Sequence, residues 1–112
     1  METTEITRND ITPQRLGGIV KSSKVRKSQN RKGNYYNYHT EGYRLDSHWR
    51  GRYTIEYVKE LRLTIMSDTE RERFEQRKSE ALALIAKTLT EKGVTFEMEG
   101  DSITLYLKDP RA

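Results

Sequence analysis

Six cationic side chains stand within twelve residues, at Lys21, Lys24, Arg26, Lys27, Arg31 and Lys32, with no acid among them. Tyr35, Tyr36 and Tyr38 follow directly. Cations at this density suit phosphate, because each Lys or Arg that neutralises a phosphate releases counterions and adds salt-dependent affinity. Flat aromatic rings suit unpaired bases, at ~1–3 kcal/mol per stacked base. Together they predict a nucleic-acid grip on the phosphate backbone, with single strands the form that stacking would favour. Arg44, Arg50 and Arg52 join it on or near the outer face of the strands that follow. Tyr, Trp and Arg are also enriched at protein–protein hot spots, so a protein is the second expected partner for the same strip. A solvated loop running into a tyrosine-rich strand is the plainest alternative. The strip matches no named nucleic-acid recognition motif, including the aromatic signature of RNA-recognition domains.

Catalytic patterns are weak by comparison. The chain has no cysteine, which excludes disulfides, thiolate metal sites and cysteine nucleophiles. His39 and His48 are the two histidines, and their surroundings lack zinc-site spacing. Asp46, Ser47 and His48 are neighbours, but on a strand Ser47 points away from the other two, so they make no triad. The stretch RLGGIVKSS has the glycines, lysine and serines of a phosphate loop without its spacing or its preceding strand. Glu72 and Glu75, interleaved with Arg71 and Arg73, read as a solvated helix face. No catalytic residue, metal or cofactor is predicted, and a non-enzymatic binding protein is expected.

The elements that must position the basic strip follow from periodicity. Thr12-Pro13 starts a short helix with Leu16, Ile19 and Val20 on one face, after a frayed 1–10 segment. Gly17 and Gly18 each cost that helix about 1 kcal/mol relative to alanine. Residues 21–34 show no apolar period and read as a loop. From Tyr43 the period is two: Tyr43, Leu45, Ser47 and Trp49 share one face, then Tyr53, Ile55 and Tyr57 after a turn at Arg50-Gly51. Tyr43, Tyr53 and Tyr57 are expected in the core, with Trp49 packed at the sheet's end. Leu61, Leu63 and Ile65 extend the meander, as a third strand or as the bent end of the second.

Asp68 or Thr69 caps a long helix running to about Lys92, which Gly93 ends in a left-handed conformation. Phe74, Lys78, Ala81, Leu82, Ile85 and Leu89 form its inward stripe. Val94, Phe96 and Met98, a Gly100-Asp101 turn, and Ile103, Leu105 and Leu107 make a closing hairpin. The fold class is α+β: an antiparallel sheet, built from a β meander plus a C-terminal β hairpin, packed against one long amphipathic helix, with a short N-terminal helix. The expected organisation is 1–33 as helix and basic loop, 34–108 as the core domain and 109–112 as a tail.

The 112 residues suffice for one domain, although 34% are charged and the mean hydropathy is -0.97. The net charge of +4 is unevenly spread: residues 1–62 carry 13 Lys/Arg and 7 Asp/Glu, residues 63–112 carry 8 and 10. That asymmetry steers an acidic partner to one surface. The polar start, METTEITRND, lacks the apolar core of a leader, and no apolar run approaches the ~20 residues of a membrane span. A cytoplasmic protein without membrane partners is expected.

The stretches NYYNYHTEGYRLDSHWRGRYTIEYV and EKGVTFEMEGDSITLYLK, joined by a charged helix, resemble small uncharacterised accessory proteins of actinobacteriophages of the mycobacteriophage type. Those proteins also combine an aromatic segment, a GY or GF strand, a W-x-G-x-Y turn and a helix–hairpin tail. The resemblance spans roughly residues 34–108. It implies an accessory protein acting in a host bacterial cytoplasm, binding a host macromolecule, and it carries no site residues. The 21–32 segment lies outside it. A self-associating structural role through an open sheet edge is the third reading.

Overall fold

The structure is a computed structural model that describes residues 7–32, 37–59 and 67–108. Helix α1 (Pro13–Ser22) begins as the sequence indicates, with the Thr12 hydroxyl accepting from the Arg15 amide and Pro13 in the first turn. Leu16, Ile19 and Val20 are buried. The chain then forms β1 (Asn30–Lys32), β2 (Asn37–His39), β3 (Gly42–Ser47), a 3-10 turn (Trp49–Gly51), β4 (Arg52–Val58), helix α2 (Asp68–Glu91), β5 (Glu97–Glu99) and β6 (Ser102–Tyr106). The expected continuation through Leu61, Leu63 and Ile65 lies outside the described residues.

Strands β3-β4-β6-β5 form one antiparallel sheet in that order, and β1-β2 form a separate ribbon. Register places Tyr43 opposite Tyr57, Leu45 opposite Ile55, and Ile55 opposite Ile103, so these side chains share the helix-facing side. They meet Leu82, Ile85 and Leu89 of α2 and the three buried side chains of α1 in one core. The α+β class is as read from the pattern. Phe74 and Lys78 are half-buried ahead of the fully buried stripe, and residues 67–73 are exposed. Ser67, rather than Asp68 or Thr69, caps α2: its hydroxyl accepts from the Glu70 amide. Gly93 ends the helix at φ +74.

Two further expectations need correction. Trp49 does not pack at the sheet's end; it is 81% exposed. The strand ends at Ser47, and Trp49 opens a 3-10 turn whose Arg50 (φ 59) and Gly51 (φ 75) are left-handed, so Trp49 lies outside the strand's alternation. Nor is the segment up to residue 10 frayed throughout. Asn9 is buried: its amide nitrogen donates to the carbonyls of Thr95 and Tyr106, and its oxygen accepts from the Thr95 amide. The Arg8 guanidinium donates to the Arg50 and Leu107 carbonyls and lies 5.9 Å from the Tyr106 ring centre.

A Cβ added at Gly17 or Gly18 would meet nothing within 4 Å. Gly17→Ala and Gly18→Ala should therefore each raise stability by about 0.5–1 kcal/mol, by removing unfolded-state freedom from a helical position. Urea unfolding midpoints of the two variants check this; an unchanged or lowered midpoint would mean that α1 is not helical at that site in solution.

Candidate nucleic-acid interface

The basic segment is not a free loop. After α1, Lys24 turns left-handed (φ 65) and Val25 packs against the core. The chain then runs along the β3 edge. The Tyr43 amide donates to the Arg26 carbonyl (2.8 Å), and the Ser28 amide donates to the Tyr43 carbonyl (2.9 Å). This approach is possible because residue 42 is glycine: a Cβ there would lie 2.5 Å from the Ser28 nitrogen and 2.6 Å from the Arg26 oxygen. Above this seam the Ser28 hydroxyl donates to the Thr40 carbonyl, the Gln29 amide to the Thr40 hydroxyl, and the Thr40 amide to the Gln29 carbonyl. The chain thus enters a two-stranded ribbon, with Arg31 opposite Tyr38 and Asn30 opposite His39.

The ribbon carries the end of the cationic run, Arg31 and Lys32, on one strand and Tyr38 on the other. Apolar periodicity could not reveal β1, because all three of its residues are exposed and neither face has a core to match. Tyr35 and Tyr36 lie outside the described residues, and Tyr38 is placed by its backbone register.

Lys21, Lys24, Arg26, Lys27, Arg31 and Lys32 are all exposed, and none of them forms an ion pair among the described residues. Arg31 donates to the Gln29 side-chain oxygen at 3.0 Å. The other three predicted arginines stand apart. Arg44 is on the sheet's outer face, paired at 3.0 Å with Asp46. Arg50 and half-buried Arg52 sit at the end of the β3–β4 hairpin away from Gly42, some five residues or ~17 Å along the strand. The twelve-residue prediction therefore divides: the 21–32 cations follow one another along α1's end, the β3 edge and β1, Arg50 and Arg52 lie at a second location, and Arg44 is paired with its neighbour.

No acid occurs between Lys21 and Thr40, and the next one, Glu41, is already engaged. Arg77 of α2 grips its carboxylate with two bonds of 2.8 Å, the Tyr57 hydroxyl donates at 2.5 Å, and Lys59 lies at 3.7 Å. Arg77 holds the Glu41 carboxyl down to about 2 against the opposing effect of burial, with Tyr57 and Lys59 helping. Burial and the Glu41 carboxylate push the Tyr57 phenol up to about 12. Sequence reasoning missed this cluster because its members come from three separate stretches of chain, around residues 41, 57–59 and 77. A second brace nearby joins Lys78 to Asp101 and Glu75, at 3.0 and 3.1 Å. It lines an open cleft of about 200 Å³ with Glu56, Tyr57, Val58 and Ser102, in which the lysine is fully paired.

No known family model matches the chain, and no curated protein or solved structure matches it. The fold and the site rest on the residues themselves. Asp46 and His48 are engaged with Arg44 and with the Thr54 hydroxyl (2.8 Å), not with Ser47. Among the described residues no group of His, Cys, Asp or Glu is gathered to hold a metal, and no helix is long and apolar enough to cross a membrane.

Two outcomes test the site's supports. Gly42→Ala should cost about 1–3 kcal/mol by forcing the 26–28 backbone off β3, and should remove hydrogen-exchange protection at the Ser28 and Tyr43 amides. Retained protection at both would show that the seam tolerates a side chain. For Glu41 the folded carboxyl is held below its ordinary 4.5, so its contribution is complete above about 4.5 and is lost as pH falls toward about 2. Urea midpoints measured between about pH 5 and pH 3 should fall less for Glu41→Gln than for the wild type; equal slopes would mean that the carboxylate adds no pH-dependent stability.

Proposed function

We propose that this is a non-enzymatic nucleic-acid-binding protein that grips phosphates with Lys21, Lys24, Arg26, Lys27, Arg31 and Lys32. One observation carries the reading: these six cations are exposed and without acidic partners among the described residues, yet the chain that bears them is ordered, from the last turn of α1 at Lys21, through backbone hydrogen bonds to the sheet edge at Arg26 and Ser28, to the ribbon at Arg31 and Lys32. Preordered cations lose less conformational entropy on meeting phosphate than a free loop does. The engagement of Glu41 by Arg77 keeps the nearest carboxylate in sequence from competing. The resemblance to actinobacteriophage accessory proteins supports a role in a bacterial host's cytoplasm, where host or phage nucleic acid would be the partner.

A second reading has its own observation. Trp49, 81% exposed on a strained turn beside Arg50, is the kind of side chain that anchors protein interfaces. A host-protein binder would use that corner. Self-association by strand pairing at the β3 edge has less room, since Arg26 and Ser28 already occupy the hydrogen-bonding groups of Tyr43.

Fluorescence anisotropy with labelled oligonucleotides, at two or more salt concentrations, tests the proposal. The expected result is binding whose logarithm falls with log salt at about −0.9 per phosphate contacted, so about −5 if all six cations engage. Changing Lys24, Arg26, Lys27, Arg31 and Lys32 to Ser should abolish most of that slope. A wild type that binds no oligonucleotide at low salt would remove this reading and leave the Trp49 corner as the place to seek a protein partner.

A further inference from the structure

Resting on that reading, we infer that the Trp49 corner is a stacking platform for an unpaired base, so that the ligand is a single strand, met by the 21–32 cations at one end of the sheet and by Trp49 at the other. Trp49 is the chain's one tryptophan and is 81% exposed. Exposure alone decides little, but the turn that displays this ring is braced from several sides. The His48 amide donates to the Arg52 carbonyl and the Leu107 amide to the Gly51 carbonyl, both at 2.8 Å. The Arg8 guanidinium donates to the Arg50 carbonyl at 2.6 Å and to the Leu107 carbonyl at 2.8 Å. A Cβ at Gly51 would lie 2.5 Å from the Leu107 oxygen, so the two backbones are in close contact. Arg50 is held at φ 59, a region that residues with a side chain seldom enter. Strain of this kind persists only where the surroundings over-determine it, and it clusters at ligand-binding positions. An aromatic ring on a fixed backbone loses little freedom when a flat ligand covers it.

The charge at this corner selects the ligand. Arg8, Arg50 and Arg52 make no ion pair among the described residues. Arg52 lies opposite Tyr106 in the β4–β6 register, and the Arg8 guanidinium is 5.9 Å from the Tyr106 ring centre. The acids that flank Arg8 and the turn in the chain, Asp10 and Asp46, are engaged by Lys108 at 3.1 Å and by Arg44 at 3.0 Å. An exposed aromatic face among guanidinium groups is the pattern that single strands reward, with bases stacked on the ring and phosphates meeting cations. A duplex keeps its bases stacked on one another and offers Trp49 none without the cost of extruding one. From Gly42, where the 26–28 segment is fastened, β3 runs roughly 17 Å to its end at Ser47, which is about five stacked nucleotides at 3.4 Å each. A strand longer than that meets both ends of the sheet.

Because Trp49 is the one tryptophan, its own fluorescence reports the contact. The full chain is titrated with a labelled DNA single strand of about twelve nucleotides, with the corresponding duplex, and with oligoglutamate, following tryptophan emission and ligand anisotropy together. The expected result is that the single strand quenches Trp49 and binds about tenfold tighter than the duplex, while the duplex and oligoglutamate leave the emission unchanged. Trp49→Ala should weaken single-strand binding about 5- to 140-fold, the worth of one stacked base, without altering the salt slope, and Trp49→Phe should recover most of the loss. The side chain is exposed, so neither variant disturbs the core. Binding without quenching, a Trp49→Ala variant that binds as tightly as the wild type, or a duplex that binds and quenches as well as the single strand would overturn the stacking assignment and leave phosphate binding at 21–32 standing. Quenching by oligoglutamate but not by the single strand would overturn it in favour of an acidic protein at this corner. Absence of oligonucleotide binding by both readouts would overturn the broader reading along with it.

Discussion

The arrangement of the basic surface depends on a missing methyl group. At Gly42 the β3 backbone and the 26–28 backbone come so close that no other residue type fits without one of them moving. That contact aligns Arg26 and Ser28 with Tyr43, and the hydrogen bonds through Thr40 continue the alignment into the ribbon. Without it, six like charges on a chain segment would repel one another into an extended, fluctuating loop. With it, the backbone from Arg26 onward is fixed by the sheet, which is in turn fixed by the core that α1 and α2 share.

Electrostatics and packing meet at the root of the ribbon. Glu41 follows Thr40 directly, and its carboxylate is drawn toward α2 by Arg77. Tyr57 serves both sides of this joint: its ring stacks on Phe74 at 5.8 Å, and its hydroxyl bonds Glu41. The half-exposed ion pair adds little stability alone, but it is bidentate and rests on an aromatic contact, the geometry in which such pairs do contribute. The charged first half of α2, which buries little, thereby acquires a task in holding the end of the sheet from which the ribbon departs.

Much of the framework was legible in the chain. Thr12-Pro13 and Gly93 mark helix ends because the backbone chemistry at those points favours few residue types. The period-two runs through Tyr43–Leu45 and Ile103–Leu107 mark strands because one sheet face is apolar and the other wet. What escaped depends on contacts between distant segments. β1 has no buried face, so it leaves no periodicity to read. The role of Gly42 is invisible without knowing that Arg26 and Ser28 lie across from it. Asn9, in a polar stretch that reads as frayed, is ordered by carbonyls more than 80 residues away. Trp49 was misplaced because a strand pattern says nothing about where a left-handed turn interrupts it. Of the candidate site, the cations of 21–32 lie exposed along one continuous stretch, whereas Arg44 faces out from the sheet beside Asp46 and Arg50 and Arg52 stand at the far end of the β3–β4 hairpin.

The bridge between Asn9 and Leu107 has a practical side. It brings the two ends of the described fold together beside Gly51, at the end of the sheet remote from Gly42. The length of β3 and β4 lies between that shared corner and the ribbon. The paired Asn9 and Leu107 and the root of the ribbon therefore stand at opposite ends of β3 and β4.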